Sequence, residues 1–113
     1  MRTRREVGGR GEDLAAAWYV SNGYEVVDRN WRCRYGELDL VLRSGRTVVF
    51  CEVKARSGVG YGTPAEAMTR DKKQRIRFLA ARWLEDAKPR PGEIRFDVVA
   101  VLGDDVEVLE GAF

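Results

Sequence analysis

The sequence predicts an α/β domain in which a mixed sheet is flanked by helices, in the order α-β-β-β-α-β-β. Three observations carry that reading. The 113 residues suit one compact domain, 1–113, and are too few for two. A helix-spaced apolar pattern occurs twice, near the start and again after residue 69. Between and after those segments lie short runs rich in β-branched and aromatic residues, separated by Gly, Asn and Pro.

The first helix is expected from about Gly9 to Asn22, with Leu14, Ala17, Trp18 and Ser21 as a mostly apolar stripe and Asn22-Gly23 as the stop. Tyr24 to Trp31 reads as a strand, Glu37 to Arg43 as a second and Arg46 to Lys54 as a third, the last two joined by a tight turn at Ser44-Gly45. Gly58, Gly60 and Gly62 mark a loop, and Pro64 opens a short turn or helix. Thr69 is an expected N-cap for a helix reaching Ala87, its apolar face made by Ile76, Leu79, Ala80, Trp83 and Ala87. Pro89-Arg-Pro-Gly ends it, and strands follow at Ile94 to Leu102 and Val106 to Leu109.

Composition narrows the chemistry. Hydrophobic residues are 44% and charged residues 34%, ordinary for a folded protein. No apolar run is long enough for a membrane span, and the charged start lacks the apolar stretch of a secretory signal, so a cytoplasmic location is expected. Cys33 and Cys51 have no C-x-x-C spacing and read as reduced packing residues, with a structural disulfide as the alternative. There is no histidine. Ser-His and Cys-His nucleophiles, His-ligated zinc and histidine bases are therefore excluded, which leaves carboxylates, lysine, tyrosine, a hard metal or a cofactor.

The second and third strands hold the residues that suit such chemistry. Pairing Arg43 with Arg46 across a Ser44-Gly45 turn sets Asp39 opposite Phe50 and Glu37 opposite Glu52. Asp39, Glu52 and Lys54 then share a face with Val41, Val48 and Phe50, with the two acids diagonal neighbours at roughly 7 Å. Carboxylates gathered on a largely apolar face repel and are costly to desolvate, and a divalent cation relieves both. Magnesium takes one or two carboxylates and keeps waters, leaving room for a phosphate. A bare E-x-K triplet is more often a solvated Glu–Lys pair; the acid in matching register on the adjoining strand brings the two readings level.

Gly36-Glu-Leu-Asp39-Leu-Val followed by Val49-Phe-Cys-Glu52-Val-Lys54-Ala-Arg resembles the PD-(D/E)xK nuclease signature. Gly11-Glu12-Asp-Leu-Ala, Asn30-Trp-Arg-Cys-Arg-Tyr-Gly-Glu-Leu-Asp, Tyr61-Gly-Thr-Pro, Lys73-Gln74-Arg75 and Arg95-Phe-Asp-Val-Val are similar to a small bacterial family of predicted endonucleases, distantly related to archaeal Holliday junction resolvases. Leu38 stands where the signature has proline. The resemblance implies a restriction-endonuclease-like fold and Glu12, Asp39, Glu52 and Lys54 as the active-site set. It further implies Mg²⁺ or Mn²⁺ held by Asp39 and Glu52, hydrolysis of nucleic acid, expected to be branched or structured DNA, and, by analogy with resolvases, a homodimer.

Spacing alone makes Glu12 a first-turn glutamate favoured by the helix dipole, about 160° from the side of Leu14; the resemblance adds an indirect contact to metal or water. Glu37 is a lesser candidate, beside the site or solvated. Arg70, Lys73, Gln74 and Arg77 on the basic helix are the expected nucleic-acid contacts, with the N-terminal arginines as a clamp. Tyr61 and Trp31 either stack on nucleic acid or pack on their own domain. The Gly58–Gly62 loop contains neither G-K-[ST] nor G-x-G-x-x-G, which argues against a nucleotide cradle. Two other readings stay open: a nucleic-acid-binding module with an inactive centre, and a scaffold protein reusing the fold.

Overall fold

The computed structural model describes residues 4–56, 68–87 and 89–113. Its elements are α1 (Arg4–Ser21), β1 (Glu25–Cys33), β2 (Gly36–Ser44), β3 (Thr47–Arg56), α2 (Arg70–Glu85), β4 (Glu93–Leu102) and β5 (Asp105–Leu109), in the order expected from the sequence. The Gly58–Gly62 loop, the element at Pro64, Tyr61 and the side chains of Arg2, Arg4 and Arg5 lie outside the described residues or side chains; Arg10, the remaining N-terminal arginine, pairs with Asp104.

One five-stranded sheet runs β1-β2-β3-β4-β5. Only the β3–β4 pair is parallel, joined through α2, and the other three neighbours are antiparallel. Among the described residues each face carries one helix. Ala15 and Tyr19 of α1 pack with Leu40, Leu42, Val49, Cys51, Val99 and Val101. Ile76, Leu79 and Ala80 of α2 pack with Val41, Val48, Phe50 and Val98 on the other face. A strand covered on both faces has no polar side, which is why Val48-Val49-Phe50-Cys51 is continuously apolar.

Thr69 caps α2 as expected, its hydroxyl accepting from the Lys72 amide. The stripe of α1 is half as expected: Leu14 and Trp18 pack on the core's edge. Ala17 and Ser21 are exposed, and Gly11, Ala15 and Tyr19 face the sheet. Burying Tyr19 removes far more apolar area from water than burying Ala17, and its hydroxyl finds a partner in Asp97 at 2.6 Å. The missing side chain at Gly11 sets the closeness: a Cβ there would lie 3.1 Å from that of Ala55 on β3. Both cysteines are free, Cys51 buried and Cys33 partly so.

The β2–β3 register is Ser44↔Thr47 through Leu40↔Cys51. The loop residues are therefore Gly45 and Arg46, one step beyond the expected turn, with Gly45 in the left-handed region that such a loop requires. The shift is two in the pairing sum, so from Leu40 to Ser44 every side chain keeps its expected face. It nevertheless matters for the site, because Asp39 now falls level with Glu52 instead of Phe50.

Candidate active site

The β2–β3 ladder ends at Leu40↔Cys51. Beyond it the Val53 amide donates to the Asp39 carboxylate at 2.9 Å, so a side chain takes the place of the strand backbone. Two residues mark where β1 and β2 turn over. Leu38 and Leu40, two apart, pack on opposite faces of the sheet. On β1, Asn30 has φ of 52°, a conformation that Asn tolerates better than most residues. Its side chain points with Arg29 toward α1, while Trp31 packs on the α2 side. The strands thus part at Asp39, and the gap between β2 and β3 is bordered by α1 and by the start of α2.

Four side chains converge there. The Lys54 ammonium lies 3.3 Å from the Glu52 carboxylate, and both are about one-fifth exposed. Asp39 has its pKa pushed up to about 7, first by burial and then by the charge of Glu52. The Val53 amide opposes that shift, while Glu12 and a hydrogen bond with Glu52 add to it. Lys54 is also raised: burial pulls it down, but a hydrogen bond with Lys72 and the charges of Glu52 and Asp39 outweigh burial. Lys72 is lowered, by that same contact first, then by burial and by repulsion from Lys54.

Glu12 is not in the first turn, since α1 begins at Arg4 rather than near Gly9, and it is more enclosed than a solvated helix glutamate. Its side chain is 14% exposed, accepts from Asn30 at 2.9 Å and lies 3.7 Å from Arg29. Among the described residues no group of three or more acidic or cysteine side chains forms a ready cage for a metal. Asp39 and Glu52 are the pair that suits one. Two adjacent carboxylates, one holding a proton near neutrality, are short of positive charge, and magnesium commonly takes one or two carboxylates while keeping its waters. The donor set fits a hard divalent ion.

The remaining sequence candidates disperse. Glu37 stands two residues before Asp39 on β2, but its carboxylate is taken by Arg32 of β1 at 2.8 Å. Trp31 packs against the α2-side core. Arg70 and Gln74 are exposed and Lys73 partly buried along α2. Arg77 lies over the ring of Phe96, 4.7 Å from its centre, on the flank facing β4. Asn30 and Lys72 are additions. A lone Asn inside a β-rich run signals a bend, since strands are poor in Asn. Lys72 was hidden in a row of cations, and only the placement of α2 over the end of β3 singles it out.

The chain is similar throughout its length to bacterial proteins that carry only a family designation. A UPF0102 protein of Rhodococcus opacus is 53% identical over 96 residues, covering 85% of this chain and 81% of the relative. One from Beutenbergia cavernae is 54% identical over 102 residues, covering 90% and 86%. One from Frankia alni is 50% identical over 118 aligned positions, covering 100% and 98%. The model of the uncharacterised protein family UPF0102 matches residues 11–101, which span Gly11, Asn30, Asp39, Glu52, Lys54 and Lys72. The chain belongs to the uncharacterised protein family UPF0102.

Proposed function

We propose that this protein is a divalent-metal-dependent endonuclease of the PD-(D/E)xK kind, acting on branched or structured DNA in the cytoplasm. The observation that carries the reading is the meeting of Asp39, Glu52 and Lys54 where β2 and β3 part, with the Asp39 carboxyl pushed up to about 7 by burial first and then by the charge of Glu52. Asp39 and Glu52 would hold Mg²⁺ or Mn²⁺. When bound, the ion supplies a water of lowered pKa and neutralises charge on a phosphate.

Everything else falls to side chains of this chain. The Val53 amide fixes the Asp39 carboxylate, so its lone pairs do not have to be ordered when a ligand arrives. Lys54 offsets the charge of Glu52 and brings a cation to the place where a phosphate would gain negative charge. Asn30 and Arg29 hold Glu12 at the edge of the gap, where it orients solvent without being a ligand. Arg70 and Lys73 on α2 extend the cationic surface for the nucleic-acid backbone, and Gln74 adds a neutral polar contact. A homodimer would place two such sites on the two strands of one substrate.

The test is cleavage of branched, single-stranded and duplex DNA and of RNA, with Mg²⁺, Mn²⁺ or chelator, by the wild type and by Glu52→Gln. Metal-dependent cutting that Glu52→Gln abolishes while it still binds nucleic acid is the expected result. Full activity in excess chelator, or in Glu52→Gln, would refute the assignment. Salt-sensitive binding with no cutting under any metal would make the chain a binding module, and neither would leave a scaffold.

A further inference from the structure

A second feature stands on the same side of the sheet, at the β1–β2 turn. Tyr35 and Phe78 meet edge to face, centres 5.2 Å apart at 88°, yet are 46% and 47% exposed. The guanidinium groups of Arg34 and Arg82 lie over Tyr35 at 5.1 and 5.4 Å from its centre. Among the described residues, neither Arg34 nor Arg82 has a carboxylate within ion-pair distance. The nearest acid along the turn, Glu37, is taken by Arg32.

The turn is held against α2 by Gly36. Its φ of 142° is closed to other residues, and a Cβ would lie 3.3 Å from the Leu79 side chain. Gly36 is three residues from Asp39 along β2, roughly 10 Å at about 3.3 Å per residue. Two exposed rings layered with uncompensated guanidinium groups make a surface for something planar and anionic. Apolar protein partners would leave those charges desolvated without a counter-ion. A paired duplex would offer phosphates but no free base faces.

We infer that Tyr35, Phe78, Arg34 and Arg82 form a stacking platform for unpaired bases of the nucleic acid whose backbone enters at Asp39 and Glu52. The inference rests on the nuclease reading and deepens it: the substrate has single-stranded character beside the cut, as a flap, fork or open junction does. The rings take base faces, and the two arginines take the phosphates between them.

The probes are a forked DNA carrying 2-aminopurine in one single-stranded arm and a blunt duplex of the same length, bound in chelator so that nothing is cut. The wild type is expected to prefer the fork and to quench the 2-aminopurine. Tyr35→Ala with Phe78→Ala should weaken fork binding about tenfold, from stacking worth about 1–3 kcal/mol per base, and abolish quenching. Tyr35→Phe should retain both. Arg34→Ala with Arg82→Ala should flatten the log–log salt dependence by up to about 1.4, near 0.7 for each phosphate contact on a single strand. Both aromatic side chains are exposed, so these variants should fold, and circular dichroism checks that. Unchanged affinity and quenching in the double aromatic variant, with metal-dependent cutting intact, would overturn the platform and leave the nuclease standing. A wild type that binds neither probe and cuts nothing would overturn both.

Discussion

Asp39→Asn is the substitution that best exposes the electrostatics of the site. Asparagine keeps the shape, its oxygen can still accept from Val53, and its amide can donate to Glu52. What it removes is a charge that the folded protein tolerates poorly. The carboxyl rises from an ordinary 3.8 to about 7 on folding. Since the folded pKa lies above the unfolded one, the stabilising contribution is complete below pH 3.8 and is lost as pH rises through about 7. At about 1.4 kcal/mol per pH unit, the full loss is about 4 kcal/mol by pH 8. Urea unfolding in chelator at pH 5 and pH 8 should therefore find the wild type less stable at pH 8, and Asp39→Asn nearly level between them. At pH 8 the variant should be the more stable protein by a few kcal/mol. Magnesium should then restore the wild type, by about 2.7 kcal/mol at a hundredfold excess over its dissociation constant, and act much less on the variant. If Asp39→Asn is less stable than the wild type at pH 8 and neither responds to magnesium, Asp39 is a structural carboxylate and the metal assignment fails.

Two further outcomes follow from other parts of the molecule. Lys73→Ala with Arg77→Ala should weaken nucleic-acid binding across sequences and flatten its salt dependence by up to about one unit per lost phosphate contact; with Arg77 resting on Phe96, most of the change should come from Lys73, and an unchanged slope would mean that this flank faces solvent or a protein. Asp97→Ala should cost about 3–5 kcal/mol in chemical denaturation without altering metal response, because it leaves Arg95 only the longer contact with half-exposed Glu110 and the Tyr19 hydroxyl and Gly111 amide without their acceptor; a loss under 1 kcal/mol would refute this reading of the contact.

Most of the fold could be read from the sequence because its helices and strands differ in period and its breaks fall at Gly, Asn and Pro. The helix α2 was the clearest case, since Ile76, Leu79 and Ala80 are large or well placed and Thr69 precedes them. The face of α1 is legible at Leu14 and Trp18, which pack on the core, but not at Gly11 and Ala15, because close approach to β3 favours the smallest residues over an apolar one such as Ala17 placed a turn aside. The pairing of Asp39 with Glu52 hung on a one-residue choice of turn. Both choices put the two acids on one face, so the cluster was legible although its spacing was not. Nothing local in the sequence foretold the parting of β2 from β3, the hold of Asn30 on Glu12, or Lys72 reaching Lys54. Each depends on a contact across the sheet.

The contrast between two acids of this chain argues for where its chemistry lies. Asp97 is fully buried and is answered on every side: by the Tyr19 hydroxyl at 2.6 Å, by two nitrogens of Arg95 at 2.9 and 3.0 Å, and by the Gly111 amide at 2.9 Å. It ties α1, β4 and the C-terminal turn together, and its negative charge has its cation built in. Asp39 has one amide, a second carboxylate beside it and a third, Glu12, near enough to be felt. Among the described residues Lys54 is the one cation in salt-bridge contact with that pair, and it sits on Glu52. The same fold has the means to satisfy a buried carboxylate completely and does so on the α1 side of β4. At the gap between β2 and β3 it leaves a deficit of positive charge open to solvent, flanked by lysines suited to phosphate. A deficit of that kind costs stability once pH rises past about 7, and it is relieved either by a proton on Asp39 or by a ligand that brings the missing charge.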